Sequence, residues 1–268
     1  MIWQCAKKWA TRILESHPLG YATGVALLNR FDFLLPHEAD YWGFSEIAAR
    51  GYGNKRIILD LGANCGHSGR AFLKLLPEWS VFSVEANPIH RARLQKIKSR
   101  FSGRFNYSVC ALGNSEKDNI CIYTPFWKSI PMHSATATSR KEAIHSVEDA
   151  FPNQRNAFRI HESRVSLKKV DTFGFEADFV KMDIQGDELS CLEGMTDLLR
   201  ERRPILLVEV NLGLDPVRNY LEKMDYNPFQ YNSSTRQFVK GAGVYNASYR
   251  NVFFVPHELE GLVATKAS

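Results

Sequence analysis

The chain has 268 residues, 34 Lys and Arg against 29 Asp and Glu, a net charge of +5, and is 44% hydrophobic and 24% charged; that is enough apolar material for a sizeable core under a wet surface. About 150 residues per domain gives roughly two domains, but α/β folds commonly reach this length as one, so one domain with additions is expected. The longest apolar runs, such as 205–208, are strand-sized and far below the roughly 18 residues of a membrane span, and a charge this mild and spread permits an anionic partner without requiring one; neither a transmembrane segment nor a nucleic-acid partner is expected.

Residues 1–16 place Ile2, Trp3, Ala6, Trp9, Ala10, Ile13 and Leu14 on one helical face, with Lys7, Lys8 and Arg12 largely elsewhere. This is the pattern of an amphipathic helix, expected to pack on the domain, with membrane-surface contact or targeting as the alternatives. Residues 17–54 mix Pro, Gly and aromatics and read as a loop, so 1–54 is taken as an N-terminal helical extension. From there strand and helix alternate: strand 57–61, helix 66–76, strand 80–85, basic helix 88–101, strand 105–112, strand 179–184, helix 187–200 and strand 205–210.

Parallel neighbours need a crossover of a dozen or more residues, so this rhythm predicts a doubly wound α/β fold with a mainly parallel, Rossmann-like sheet. Two stretches break it. Residues 119–170 begin with a short strand at 120–124, then run polar and rich in Ser, Thr, His and Arg before 165–170, and read as an insertion on the substrate side. The C-terminal part reads as a helix at 216–224, a strand at 229–231, a glycine-rich turn at 241–243 and a strand at 251–255, which fits a hairpin-like pair with an antiparallel strand closing the sheet. The main domain is placed at 55–258 and a frayed tail at 259–268.

The cysteines, Cys5, Cys65, Cys110, Cys121 and Cys191, show no C-x-x-C and no tight spacing to His. They read as reduced thiols in a cytoplasmic protein, and the N-x-S/T sequons at Asn106, Asn232 and Asn246 read as chance matches where no signal peptide is seen.

The stretch Ile57-Ile58-Leu59-Asp60-Leu61-Gly62-Ala63-Asn64-Cys65-Gly66-His67-Ser68-Gly69 runs a buried strand through a small-residue turn into a helix. Such a turn lets a nucleotide-like ligand approach the backbone N–H groups at the helix start. The dinucleotide fingerprint G-x-G-x-x-G would need glycine where Asn64 stands, and no Walker A loop occurs. Asp60 through Gly66 instead resembles the first motif of class I S-adenosylmethionine-dependent methyltransferases, an acidic strand end followed by G-x-x-x-G.

The resemblance implies that Gly62, Ala63, Asn64, Gly66 and Ser68 surround the methionine part of the cofactor and that Asp60 lies near its amino group. The next strand ends in Glu85-Ala86-Asn87-Pro88, where a carboxylate can accept both ribose hydroxyls. Ala111 and Leu112 stand near the adenine or form an ordinary strand end and turn.

Lys181-Met182-Asp183-Ile184-Gln185-Gly186-Asp187-Glu188-Leu189, continuing to Leu192-Glu193-Gly194, resembles the FkbM-type methyltransferases, whose pattern is close to K-[IM]-D-[IV]-E-G-x-E-x-x-x-L-x-G. With Val170-Asp171 and Leu207-Val208-Glu209, the resemblance covers 57–210. Gln185 departs from it, standing where the family usually carries Glu.

Methyl transfer to oxygen benefits from a base, because a free alcohol is a poor nucleophile. Asp183, at a strand end facing the ligand crevice, is the first candidate for that base and for a cofactor contact, with helix capping as its alternative. His133 in the insertion is the second, its ordinary pKa lying close to working pH, with simple exposure as the alternative. Glu188 is expected to cap or pack, Glu209 to face the crevice or be structural, and Phe126 and Trp127 to stack on a sugar or anchor the loop; His145 and His161 carry little information.

No H-E-x-x-H, H-x-x-x-H or paired Cys is present, and no metal is expected, although Asp183, Glu188 and Glu209 could meet around a hard cation. The leading expectation is an S-adenosylmethionine-dependent O-methyltransferase acting on a hydroxyl of a sugar, glycan or polyketide-like metabolite. A degenerate methyltransferase-fold binding protein and an NAD-linked oxidoreductase are its rivals. Arg140, Lys141, Arg155, Arg159, Arg164, Lys168 and Lys169 concentrate in or beside the insertion, which would suit an anionic small-molecule or glycan acceptor if that segment covers it.

Overall fold

The computed structural model describes residues 20, 38–128, 130–132, 135–151, 157–209, 214–240 and 251–264. The expected N-terminal amphipathic helix, His133, Arg155 and the turn at 241–243 lie outside the described residues. The described residues fall into two units, one within Asn119–Val165 and one made of His37–Asp118 and Ser166–Ser268.

In chain order the elements are α1 (Tyr41–Ala49), β1 (Ile57–Leu61), α2 (His67–Leu75), β2 (Ser80–Glu85), α3 (Arg91–Arg100), β3 (Phe105–Val109) and β4 (Ala111–Leu112). Next come β5 (Lys117–Trp127), β6 (Ile130–Pro131), α4 (Arg140–Ala150), β7 (Phe158–Lys168), β8 (Phe179–Met182), α5 (Glu188–Glu193), α6 (Thr196–Glu201) and β9 (Ile205–Glu209). The chain closes with α7 (Leu214–Glu222), β10 (Tyr226–Asn232), β11 (Gln237–Lys240) and β12 (Asn251–Pro256).

The larger unit is built on an eight-stranded sheet in the order β11-β10-β12-β9-β8-β1-β2-β3. The five strands from β9 to β3 are parallel, while β12 runs antiparallel to β9 and β10 antiparallel to both β12 and β11. The chain winds outward from β1 to β3 and then crosses back to β8, so strand order reverses between β1 and β8. Ligand crevices of doubly wound sheets open at such a reversal, at the carboxyl ends of the strands.

Alternation along each strand explains the continuous apolar runs. Ile58, Phe179, Ile205, Leu207 and Phe253 pack with Phe44 and Ile47 of α1, Phe72 of α2 and Leu94 of α3. Leu59, Leu61, Val180, Met182, Leu206 and Val208 pack on the opposite face with Leu192, Leu199 and Leu221 of the later helices. Both faces are therefore covered, as parallel sheets require.

Several expectations are corrected. Residues 41–49, read as loop, form α1, because Tyr41, Phe44 and Ile47 recur at helical spacing and are buried. The single helix expected over 187–200 is two, α5 and α6, with the break beside Gly194, where a Cβ would stand 2.0 Å from the Gly113 carbonyl oxygen. The strand expected over 105–112 divides at Cys110: β3 pairs with β2, whereas Ala111 and Leu112 pair with Leu167 and Lys168 at the end of β7. The tail is not frayed as far as it is described. Residues His257–Leu262 form a 3-10 turn, Val263 is buried, and Arg50 Nη1 donates to the Leu262 and Ala264 carbonyls at 2.6 and 3.2 Å.

The smaller unit is more regular than its polar composition suggests. It contains β6, α4 and most of β5 and β7, and its own small core joins Trp127, Met132, Ala135, Val147 and Phe151. Among the described residues no helix is long and apolar enough to cross a membrane, and none of Cys65, Cys110, Cys121 and Cys191 is in a disulfide.

Candidate active site

The period of two along a strand places Asp60 on the same face as Ile58, Lys181 and Asp183 on the face of Phe179, and Glu209 on the face of Ile205 and Leu207. All four ionisable residues thus line the face that α1 and α2 cover, at the carboxyl edge of β1, β8 and β9. Register brings them together: Asp60 is the cross-strand neighbour of both Ser83 and Lys181.

Asp60 is fully buried. Its Oδ1 accepts from Ser68 Oγ at 2.7 Å and its Oδ2 from Ser83 Oγ at 2.8 Å, with Lys181 Nζ 3.8 Å from Oδ1. Gly69 in the first turn of α2 allows this close approach, since a Cβ there would lie 2.9 Å from Ser83 Oγ. Asp60 thus anchors Ser68, Ser83 and Lys181.

Lys181 is the member of this group that sequence reasoning left without a role. Its ammonium donates to the Gly62 carbonyl at 3.1 Å and to Asp183 Oδ2 at 3.4 Å. Burial alone would lower its pKa, but Asp60, Asp183 and Glu38 outweigh that and hold it above the ordinary lysine value. A lysine inside an otherwise apolar strand was the available signal, because lysine is almost never fully buried without a partner.

The turn after β1 is set by hydrogen bonds from Gly62 N and Ala63 N to the Val84 carbonyl, at 2.9 and 3.0 Å. Gly62 has φ +78°, and a Cβ there would fall 1.7 Å from the Asp183 carbonyl oxygen, so only glycine lets the ends of β1 and β8 approach this closely. Gly66, with φ +84°, caps α2. Asn64, also left-handed at φ +50°, donates its N–H to Glu85 Oε2 at 2.6 Å, while Asn87 N donates to Oε1 at 2.8 Å.

Glu85 thus ties the first turn to the second, where Ala86 bends the chain and Asn87 Oδ1 accepts from Ile89 N. Burial raises the Glu85 pKa, and the two N–H donors and Lys181 only partly offset it. Each carboxyl oxygen retains one lone pair beyond its backbone bond.

Asp183 follows β8 directly. Burial pushes its pKa up, but Lys181 together with hydrogen bonds from Glu209, Gln185 and Lys181 brings it below the ordinary carboxylate value. Gln185 Nε2 donates to Asp183 Oδ1 at 2.7 Å and reaches Glu209 Oε2 at 3.3 Å. The hydrogen bond to Asp183, burial, and the charge of Asp183 push the Glu209 pKa up to about 8. Glu188 accepts the Gly186 N–H with both oxygens, at 3.0 and 3.1 Å, and so closes the turn ahead of α5.

The remaining expected residues have partners of their own. Cys110 N donates to the Glu85 carbonyl at 3.0 Å, whereas Ala111 and Leu112 are buried in the pairing with β7. Trp127 anchors the core of the smaller unit, with Lys128 Nζ 4.6 Å above its ring; Phe126 packs edge-on to His161, and His145 pairs with Asp149. Among the described residues no group of His, Cys, Asp and Glu is arranged to hold a metal ion.

The methyltransferase FkbM domain family matches residues 60–228. No curated protein matches. Among solved structures the chain is similar to methyltransferase FkbM from Methylobacillus flagellatus KT, with 17% identity over 74% of this chain and 42% of that one and a TM-score of 0.47; this chain thus spans less than half of that protein's length. It is also similar to a TehB-like SAM-dependent methyltransferase from Corynebacterium glutamicum ATCC 13032 Kitasato, with 11% identity over 90% of this chain and 100% of that one and a TM-score of 0.42. SAH-bound methyltransferase PaMTH1 from Podospora anserina shares 11% identity over 83% of this chain and 79% of that one, with a TM-score of 0.41. The family match takes in more than half of the chain and includes Asp60, Glu85, Asp183 and Glu209: the chain belongs to the FkbM methyltransferase family, with its methyltransferase domain built on the doubly wound α/β sheet.

Proposed function

We propose that this chain transfers the methyl group of S-adenosylmethionine to a hydroxyl of a small-molecule or glycan acceptor, such as a sugar or a polyketide-like metabolite. The observation that carries the reading is Glu85, held by Asn64 N and Asn87 N at the carboxyl end of β2, with one lone pair on each oxygen still free for a ribose hydroxyl. Asp183 adds a carboxylate along the same edge of the sheet, which suits a cofactor carrying a sulfonium and an ammonium. Gly62, Ala63, Asn64 and Gly66 form the turn that would receive its methionine part, and Asp60 supports that turn through Ser68 and Lys181.

When bound, the cofactor supplies a methyl group activated by its sulfonium: the C–O bond forms as the S–C bond breaks, and the S–C electron pair stays on sulfur. The protein's share is to orient the acceptor oxygen in line, to exclude water, and to take the hydroxyl proton. The test is transfer of label from methyl-labelled S-adenosylmethionine to a panel of sugars, glycans and hydroxylated metabolites. Labelled ether product supports the reading; cofactor binding without transfer to any acceptor supports the degenerate alternative instead.

A further inference from the structure

O-methyl transfer needs somewhere for the hydroxyl proton to go, and the geometry around Asp183 makes it a poor destination. Its Oδ1 already accepts from Gln185, its Oδ2 faces the Lys181 ammonium, and Glu209 bonds the same carboxylate. A carboxylate receiving this many donors has its charged form stabilised and its basicity reduced. Glu209 differs in both respects. It ends β9, remains half-exposed, and lies beside Asp183 because Met182 and Val208 are register partners in adjacent parallel strands.

Gln185 completes the arrangement. Its backbone is left-handed at φ +62°, and its side-chain amide reaches both carboxyl groups, at 2.7 and 3.3 Å. The family pattern carries Glu there, which would set three carboxyl groups together; an amide instead donates to both neighbours without adding charge.

We propose that Asp183 and Glu209 act as a proton-sharing pair bridged by Gln185, in which Glu209 accepts the hydroxyl proton of the methyl acceptor, Asp183 holds Glu209 in place, and Gln185 is a positioning residue. The proposal rests on the O-methyl transfer reading. The acceptor O–H bond breaks with its electron pair left on oxygen, the proton joins the Glu209 carboxylate, and Glu209 then returns it to water. Among the described residues, the groups facing Glu209 are Asp183 and Lys181 from the β8 side, Glu38 and Tyr41 from the α1 side, and Asn251 as its strand neighbour on β12. Of these only Lys181 is a cation, so the local balance favours retention of one proton by the pair near neutrality, consistent with the raised pKa of Glu209.

The experiment is a carboxyl titration of the whole chain labelled with 13C at the glutamate side-chain carboxyl, which requires no cofactor, alongside the pH profile of methyl transfer. Wild type is expected to show one glutamate carboxyl titrating near pH 8 that disappears in Glu209→Gln, and a turnover rate rising through the same pH. Glu209→Gln should lower turnover by about 10²–10⁴-fold, the usual contribution of a general base, while S-adenosylhomocysteine affinity stays within about twofold. Gln185→Glu, which adds a charge beside the pair, should move both the titration and the rate profile to higher pH.

The proposal is overturned if no glutamate titrates between about pH 6.5 and 9, if that signal persists in Glu209→Gln, or if that variant keeps the wild-type rate. Turnover abolished by EDTA and restored by Mg²⁺ would also overturn it, by making the carboxyl groups cation ligands. Failure of wild type to bind S-adenosylhomocysteine would sink the methyl-transfer reading and leave the titration interpretable by itself.

Discussion

Asp60 and Lys181 are cross-strand neighbours on β1 and β8, both buried, with Lys181 Nζ 3.8 Å from Asp60 Oδ1. The ammonium then continues to the Gly62 carbonyl and to Asp183, so one buried cation joins the first strand, the turn after it and the end of β8. Removing one partner of a buried pair leaves an uncompensated charge at a cost of about 3–5 kcal/mol. Lys181→Met is therefore expected to lower the unfolding free energy by about that amount in urea titration, and the double variant with Asp60→Asn by less than the sum of the two single changes. A loss below about 1 kcal/mol for Lys181→Met would show that the cation is not needed where it stands.

Gly62 and Gly103 both have positive φ, yet they differ in surroundings. A Cβ at Gly62 would meet the Asp183 carbonyl oxygen at 1.7 Å, whereas nothing lies within 4 Å of one at Gly103. Gly103→Ala should cost only the backbone term, about 1–2 kcal/mol. Gly62→Ala must in addition push the ends of β1 and β8 apart, and is expected to give a markedly lower denaturation midpoint or insoluble protein. Equal costs in chemical denaturation would contradict the close approach of the two strand ends.

Glu209 makes stability depend on pH in a defined direction. Its folded pKa is about 8 against an ordinary value of 4.5, so between these values the folded chain holds a proton that the unfolded chain has released. Stability is then greatest below about pH 4.5 for this group and declines as pH rises to about 8. Asp183 acts in a separate window: its pKa is depressed, so its contribution is present above the ordinary 3.8 and is lost as pH falls. Replacing Glu209 by Gln should flatten the decline between pH 5 and 8. An unchanged slope in unfolding free energy across that range would contradict the placement of Glu209.

The larger sheet was legible because its signals are local. Apolar strands ending at Leu61, Glu85, Met182 and Glu209, separated by helical stretches, specify parallel crossovers, and the small-residue turn after Asp60 marks the crevice. What escaped depends on tertiary partners. Asp60 reads only as an acidic strand end until register sets it between Ser83 and Lys181. Lys181 itself was visible only as a motif letter, although its parity with Phe179 and Asp183 places it on the α1 face.

α1 was hidden because Pro, Gly and aromatics around it resemble a loop, and its burial comes from long-range contacts with Phe72, Phe179 and Phe253. The smaller unit was underestimated for a related reason: its strands are largely solvent-facing, and their polar residues mask the pairing.

S-adenosylmethionine as the proposed cofactor, with Glu85 accepting from its ribose hydroxyls, is the step on which the proposed function most depends. Calorimetric titration of S-adenosylhomocysteine into wild type and Glu85→Gln tests this directly. Hydrogen bonds to a charged group contribute about 1.5–3 kcal/mol each, and about 1.4 kcal/mol is tenfold in affinity. The expected result is saturable, one-to-one binding to wild type and binding at least about tenfold weaker in Glu85→Gln. No binding to wild type, or equal affinity in the two proteins, would contradict it.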